Sequence, residues 1–174
     1  MHSSQEPIVS IIMNCFNSEQ YLKQAIDSVY SQTFDNWEII FWDNVSTDGS
    51  SKIAKNYDNR LHYFLAPVHT DLGNARNLAM MEARGKYIAF LDCDDLYLST
   101  KLTKQITFME ENQYEMSYGS AIIINEEGHN LKKSITRYDS GIIFGNLLKH
   151  YEINMQTVVI KRALLLREKL SFDV

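Results

Sequence analysis

The stretch "IVSIIMNCFNSEQYLKQAIDSVYSQTFDNWEIIFW" (8–42) decides how the chain folds. It opens on "IVSIIM" (8–13), a β-branched run of the kind that forms a strand buried on both faces. Ser18 then stands where a helix N-cap belongs. Leu22, Ala25, Ile26, Val29 and Tyr30 recur at helical spacing over roughly 19–31. "EIIFW" (38–42) is a second apolar strand. A buried strand, a helix and another buried strand in so short a span predict a βαβ unit.

The same alternation continues outward. A helix is expected over 50–57, a strand at "LHYFLA" (61–66), and a helix over 72–84 through Leu72, Ala75, Leu78, Ala79 and Ala83. Arg84 and Gly85 should close that helix as a last-turn cation and a terminal glycine, before the strand "KYIAFL" (86–91). Strands and helices in this order imply right-handed crossovers, hence an α/β fold: a Rossmann-like α/β/α sandwich with a mainly parallel central sheet. From about 99 the pattern loosens. It gives a helix over 99–112, one strand "MSYGSAIIIN" (116–125), a turn at Glu126-Glu127-Gly128, a short helix near 141–149, a strand "MQTVVIK" (155–161) and a helix from Arg162.

With 174 residues, 45% of them hydrophobic, the chain is expected to form a single domain. A net charge of −5 argues against a protein that grips nucleic-acid phosphates, which takes a basic face. Residues 1–7, "MHSSQEP", lack a signal-peptide core, and no later run is long and apolar enough to cross a bilayer. Cys15 and Cys93 show no zinc or disulfide spacing, so a reduced, cytoplasmic setting is expected.

In an open α/β sheet the ligand site lies at the carboxyl ends of the strands. Polar residues collect there: Asn14-Cys15-Phe16-Asn17 after the first strand, Asp43-Asn44-Val45-Ser46-Thr47-Asp48-Gly49 after the second, and Asp92-Cys93-Asp94-Asp95 after the fourth. Carboxylates one residue apart repel unless a cation sits between them. Magnesium or manganese, held by one or two carboxylates plus substrate phosphates, removes that cost.

The segments "VSIIMNCFNSEQYLKQAIDSVYSQTFDNWEIIFWDNVSTDGS" (9–50) and "GNARNLAMMEARGKYIAFLDCDD" (73–95) strongly resemble glycosyltransferase family 2, the inverting nucleotide-sugar transferases of GT-A fold. The resemblance implies a Mn2+ or Mg2+ cofactor, with Asp94 as the main metal ligand and Asp92 beside it toward the ribose. It implies that Phe16 lies beside the nucleobase, that Asn14, Asp43 and Asn44 line the same pocket, and that Arg76 and Cys93 sit near the donor. Asn17 should brace its turn, and Asp95 should cap the next helix. Cys15 and Cys93 should also fill space beneath the site. Trp42 is expected to pack, and His62, His69, His129 and His150 receive no role.

The implied function is transfer of a sugar from a nucleotide-diphosphate donor, a UDP-sugar above all, to a glycan or lipid-linked acceptor in polysaccharide synthesis. The full-length protein would then work at the inner face of the membrane. Residues 1–112 would form the nucleotide-sugar-binding half and 113–174 the start of the acceptor half. The family often has two aspartates where Asp43-Asn44 stands, so Asn44 would accept the uracil imide proton through a neutral oxygen, and Asn44→Asp should tighten uridine binding. "KLSFDV" (169–174) matches the start of a "GxFDE"-like segment that precedes the family's general base. That base is therefore expected beyond Val174, with Asp173, Glu152 and Glu168 as candidates within the chain. Apolar surface around Ile153, Val158, Ile160, Leu164 and Leu170 is expected to lie open and favour a homo-oligomer. A nucleotidyltransferase and a noncatalytic nucleotide-sugar-binding module remain as alternatives.

Overall fold

The computed structural model describes residues 6–136, 141 and 153–173. Its main sheet begins with four parallel strands, β1 (Val9–Cys15), β2 (Trp37–Asp43), β3 (Leu61–Leu65) and β4 (Tyr87–Phe90). Helices α1 (Glu19–Tyr30), α2 (Ser50–Ala54) and α3 (Leu72–Met81) connect them, and α4 (Lys101–Asn112) follows β4. Two short antiparallel strands, β5 (Met116–Ser117) and β8 (Val159–Lys161), complete the spatial order β3-β2-β1-β4-β8-β5. A separate hairpin pairs β6 (Ala121–Ile124) with β7 (Asn130–Ser134), and α5 (Arg162–Glu168) comes last.

The double-sided burial expected of the first strand is present: Val9, Ile11, Ile12 and Met13 are no more than 2% exposed. Alternate residues feed two cores. Val9, Ile11, Met13, Ile39 and Phe41 face α1 and α4, packing on Leu22, Ile26, Leu102 and Met109. Ile12, Ile40, Ile88 and Phe90 face α3, meeting Ala75 and Ala79 with Ile153, Val158 and Ile160. This is the expected layered α/β arrangement.

Several local expectations needed correction. Ser18 occupies the N-cap position of α1, but its hydroxyl donates to the Phe16 carbonyl, and the cap acceptor is Asp48, which takes the Glu19 N–H at 2.9 Å. Helix α3 ends at Met81, short of Arg84 and Gly85. Arg84 instead reaches Glu38, whose carboxylate is 3% exposed and also accepts the Ser10 hydroxyl at 2.6 Å. Gly85 serves close approach: a Cβ there would stand 2.6 Å from the Ser10 nitrogen. Asp95 caps nothing, because α4 starts only at Lys101 after Thr100.

Past residue 112 the periodicity misled. "MSYGSAIIIN" divides between β5 in the main sheet and β6 in the hairpin, with Tyr118, Gly119 and Ser120 between them. The turn at 126–128 is present, with Gly128 at φ +81° and its N–H donating to the Asn125 carbonyl. The strand that follows it, β7, is polar and gave no signal. "MQTVVIK" begins as a 3-10 turn, Met155–Thr157, before becoming β8. The helix expected near 141–149 lies outside the described residues, Gly141 apart. Ile153, Val158 and Ile160, expected at the surface, are 7–8% exposed and help line a cavity of about 200 Å³ with Phe90, Met155 and Phe172. Leu170 is exposed as expected.

Candidate active site at the strand ends

The loops after β1 and β2 hold each other in place. Asn17, at φ 51°, accepts the Thr47 N–H at 2.8 Å, bracing its turn as its type predicts. Its own N–H donates to Ser46 Oγ, and the Ser18 N–H donates to Ser50 Oγ. Asp48 caps α1, while Glu19 from α1 accepts the Gly49 N–H at 2.6 Å where α2 begins. Asp48 also accepts the Ser50 N–H at 3.0 Å, so the starts of α1 and α2 are tied together.

Asp43 and Asn44 are turned inward by the same construction. Asp43, 1% exposed, accepts the Ser46 N–H at 2.7 Å and the Tyr63 hydroxyl at 2.6 Å. Burial and this carboxylate push Tyr63 up to about 12. The Asn44 amide clamps Thr70, donating to its carbonyl at 2.7 Å and accepting its N–H at 3.1 Å. Between these anchors Val45 takes φ 68°, a costly backbone for a β-branched residue. The two loops display Phe16, 50% exposed, with its ring centroid 4.3 Å from that of His69. His69, to which the sequence pointed in no way, is fixed by a 2.9 Å contact of Nδ1 with the Asn44 carbonyl. Trp42 packs, 8% exposed and stacked on Phe64.

Strand register builds the centre of the site. Continuing the parallel β1–β4 pairing two residues past Phe90 sets Asp92 beside Asn14, and continuing the antiparallel β4–β8 pairing sets it opposite Gln156. Arg76 from α3 donates to Asp92 Oδ1 at 2.8 Å, and Gln156 donates through Nε2 to Oδ2. The Arg76 guanidinium also stands 5.3 Å from the Phe172 ring, and Asn77 ties the Phe172 backbone to α3 through both N–H and carbonyl. Gln156 and Phe172 were missed because only pairing across the sheet and the run of the C-terminal segment bring them here.

Cys93 lies under the site, 4% exposed, with its thiol donating to the Asn14 carbonyl. That thiol, with the hydroxyls of Ser50, Ser46 and Ser18, draws Cys15 down to about 6 against the opposing effect of burial, and Cys15 in turn raises Cys93. No sequence signal announces this cage, since its hydroxyls come from two segments far apart in sequence.

Asp94 is exposed, and its carboxylate has no hydrogen-bond partner among the described residues. Burial raises Asp95 to about 6, and the charges of Asp94 and Asp92 add to the rise. Among the described residues no three His, Cys, Asp or Glu side chains converge to cage a metal by themselves. An exposed carboxylate free of hydrogen bonds among the described residues fits a hard divalent cation that takes its other ligands from a diphosphate and water. Of the candidate bases, Asp173 is exposed beside the Phe172 clamp, Glu168 is exposed and paired with Arg167 at 2.7 Å, and Glu152 lies outside the described residues.

The sequence profile of Glycosyl transferase family 2 matches residues 10–171. The chain is 36% identical over 159 residues to the Escherichia coli UDP-Glc:alpha-D-GlcNAc-diphosphoundecaprenol beta-1,3-glucosyltransferase WfgD, covering 91% of this chain and 62% of that protein. Staphylococcus aureus TarS 1-349 in complex with UDP-GlcNAc superposes with a TM-score of 0.78 at 22% identity, covering 95% of this chain and 48% of that one. The mannosyltransferase PcManGT from Pyrobaculum calidifontis, in complex with GDP-Man and Mn2+, gives a TM-score of 0.66 at 18% identity, with 95% and 47% covered. The chain spans less than two thirds of the length of the curated relatives it matches. No helix among the described residues is long and apolar enough to cross a membrane. With the family profile running from β1 through α5 and the fold shared with TarS, this chain belongs to glycosyltransferase family 2 and has the GT-A fold.

Proposed function

We propose that the chain forms the donor-binding part of a metal-dependent, inverting glycosyltransferase that moves a sugar from a UDP-sugar to a lipid-linked or glycan acceptor. The observation that carries this reading is the convergence at Asp92, where Arg76 and Gln156 hold one carboxylate while Asp94 beside it has no partner among the described residues. The UDP-GlcNAc bound to TarS, the UDP-Glc and diphosphoundecaprenol in the name of WfgD, and the Mn2+ bound to PcManGT support the donor, acceptor and metal in turn.

In this reading the base lies against Phe16 and His69, over the floor that Asp43 and Asn44 shape. Arg76 and Asp92 orient the donor, and Asp94 holds the cation, with Asp92 nearby. When bound, the cation would offset the charge that grows on the departing diphosphate. Inversion requires the acceptor hydroxyl to enter opposite the diphosphate and to lose its proton to a base. We place that base in the region that follows Asp173 in longer family members, and take 1–112 as the donor half and 113–174 as the start of the acceptor half.

Calorimetry with uridine diphosphate tests the reading. Binding should require Mn2+ or Mg2+, and Asp94→Ala should remove the metal-dependent part. Equal affinity in chelator would overturn the metal-bridging role.

A further inference from the structure

Three carboxylates within four positions form a cluster whose geometry the protein must hold. Arg76 neutralises Asp92 from one side, at 2.8 Å. On the other side stands Gln156, which donates through Nε2 to Asp92 Oδ2. A primary amide donates to a carboxylate while adding no charge. A lysine or arginine at this position would cancel the negative field that attracts a cation, and a glutamate would repel Asp92.

The amide's orientation follows from chemistry, because its carbonyl turned toward Asp92 would set oxygen against oxygen. Gln156 Oε1 therefore faces away, and it is buried with no hydrogen-bond partner among the described residues. An unsatisfied buried carbonyl weakens the fold. The backbone that presents this side chain is nonetheless firmly held. Gln105 Nε2 donates to the Thr157 carbonyl at 2.8 Å, and Thr157 closes its own 3-10 turn through its N–H and hydroxyl on the Asn154 carbonyl. The turn feeds directly into β8, so the sheet register aims Gln156 at Asp92.

We propose that Gln156 is the positioning residue of the carboxylate cluster: it fixes Asp92 in the geometry that receives the metal and diphosphate. This rests on the donor-site reading above and extends it to a residue of the second half of the chain, outside the Asp92–Asp95 segment. The fold tolerates the stranded carbonyl because the amide N–H serves the site.

The test uses two variants, with uridine diphosphate and Mn2+ as the probes. Gln156→Met keeps the shape, removes both donors and removes the stranded oxygen. It should bind uridine diphosphate with Mn2+ about tenfold more weakly, on the order of one charge-assisted hydrogen bond, while its melting temperature stays level or rises. Gln156→Arg keeps the donors but adds charge, so the gain in uridine diphosphate affinity on adding Mn2+ should shrink severalfold. Wild-type affinity in Gln156→Met, a loss that merely tracks a lowered melting temperature, or a full Mn2+ effect in Gln156→Arg would overturn the proposal. If the wild-type chain itself fails to bind uridine diphosphate with Mn2+, the donor-site reading falls first, and that failure is visible before either variant is measured.

Discussion

Asp43 distinguishes a residue that shapes the nucleotide loop from one that touches the nucleotide. In Asp43→Ala the Ser46 N–H and the Tyr63 hydroxyl lose a buried carboxylate that holds them at 2.7 and 2.6 Å. Hydrogen bonds to a charged group contribute about 1.5–3 kcal/mol each. Ser46 and Tyr63 are themselves only partly buried, so water recovers some of that, leaving a loss of about 2–4 kcal/mol. For a chain of this size each kcal/mol moves the melting temperature by about 2–4 °C, so the shift should be roughly 5–15 °C. Val45 should relax from its φ of 68° once the Ser46 anchor is gone, and the loop beside Phe16 should loosen with it. Asp43→Asn keeps one oxygen for Ser46, and its amide can donate to Tyr63, whose hydroxyl also accepts. It should cost only about 1 kcal/mol and keep uridine diphosphate affinity within about threefold. Urea unfolding followed by circular dichroism, with calorimetry on both variants, decides the matter. Near-wild-type stability in Asp43→Ala, or lost affinity in a stable Asp43→Asn, would refute the bracing role and make Asp43 a direct contact.

Other expectations follow from buried charge and from the same loops. Burial pushes Glu38 up, but the Ser10 hydroxyl and Arg84 outweigh it and hold its carboxyl below the usual value of 4.5. Its contribution is therefore present above about 4.5 and is lost as pH falls through the lowered value. Glu38→Gln should flatten the acid side of the stability profile, and an unchanged slope between pH 5 and 2 would contradict this. Burial draws the Lys101 amine, which has no hydrogen-bond partner among the described residues, from 10.5 down to about 7. The fold thus pays most for this group below pH 7 and progressively less as pH rises toward 10.5. Lys101→Met should stabilise by about 1–3 kcal/mol at pH 6, the Tyr97 ring 4.2 Å away having offset part of the penalty, and the gain should shrink by pH 10. Asn44→Asp, expected from the sequence alone to tighten uridine binding, should weaken it. A second carboxylate oxygen would face the Thr70 carbonyl at the 2.7 Å now spanned by the amide N–H, and calorimetry showing tighter binding would restore the direct contact.

The first hundred residues were legible because buried parallel strands read as apolar runs and their crossovers as helical periods. "IVSIIM" and the helix carrying Leu22, Ile26 and Val29 needed no tertiary information. The rest depended on pairing between distant segments. "MSYGSAIIIN" looks like one strand because Ala121–Ile124 are as apolar as a core strand, yet Ile122, Ile123 and Ile124 are exposed on a hairpin outside the main sheet. The strand ends pointed to Phe16, Asp92 and Asp94, but composition could not say that Asp43 and Asn44 would face inward. That follows from Tyr63, Ser46 and Thr70 lying within reach. Gln156 carries no motif, and its place comes from the antiparallel register of β8 alone.

The central claim is that these strand ends hold a nucleotide diphosphate through a metal at Asp94. A crystal structure of the chain with uridine diphosphate and Mn2+ tests it most directly, since anomalous scattering locates the metal independently of the phosphates. The account predicts an anomalous peak about 2.0–2.3 Å from an Asp94 carboxylate oxygen, bridged to the diphosphate, with the uracil ring against Phe16. A metal bound away from Asp94, or a base lodged away from the loops after β1 and β2, would contradict it.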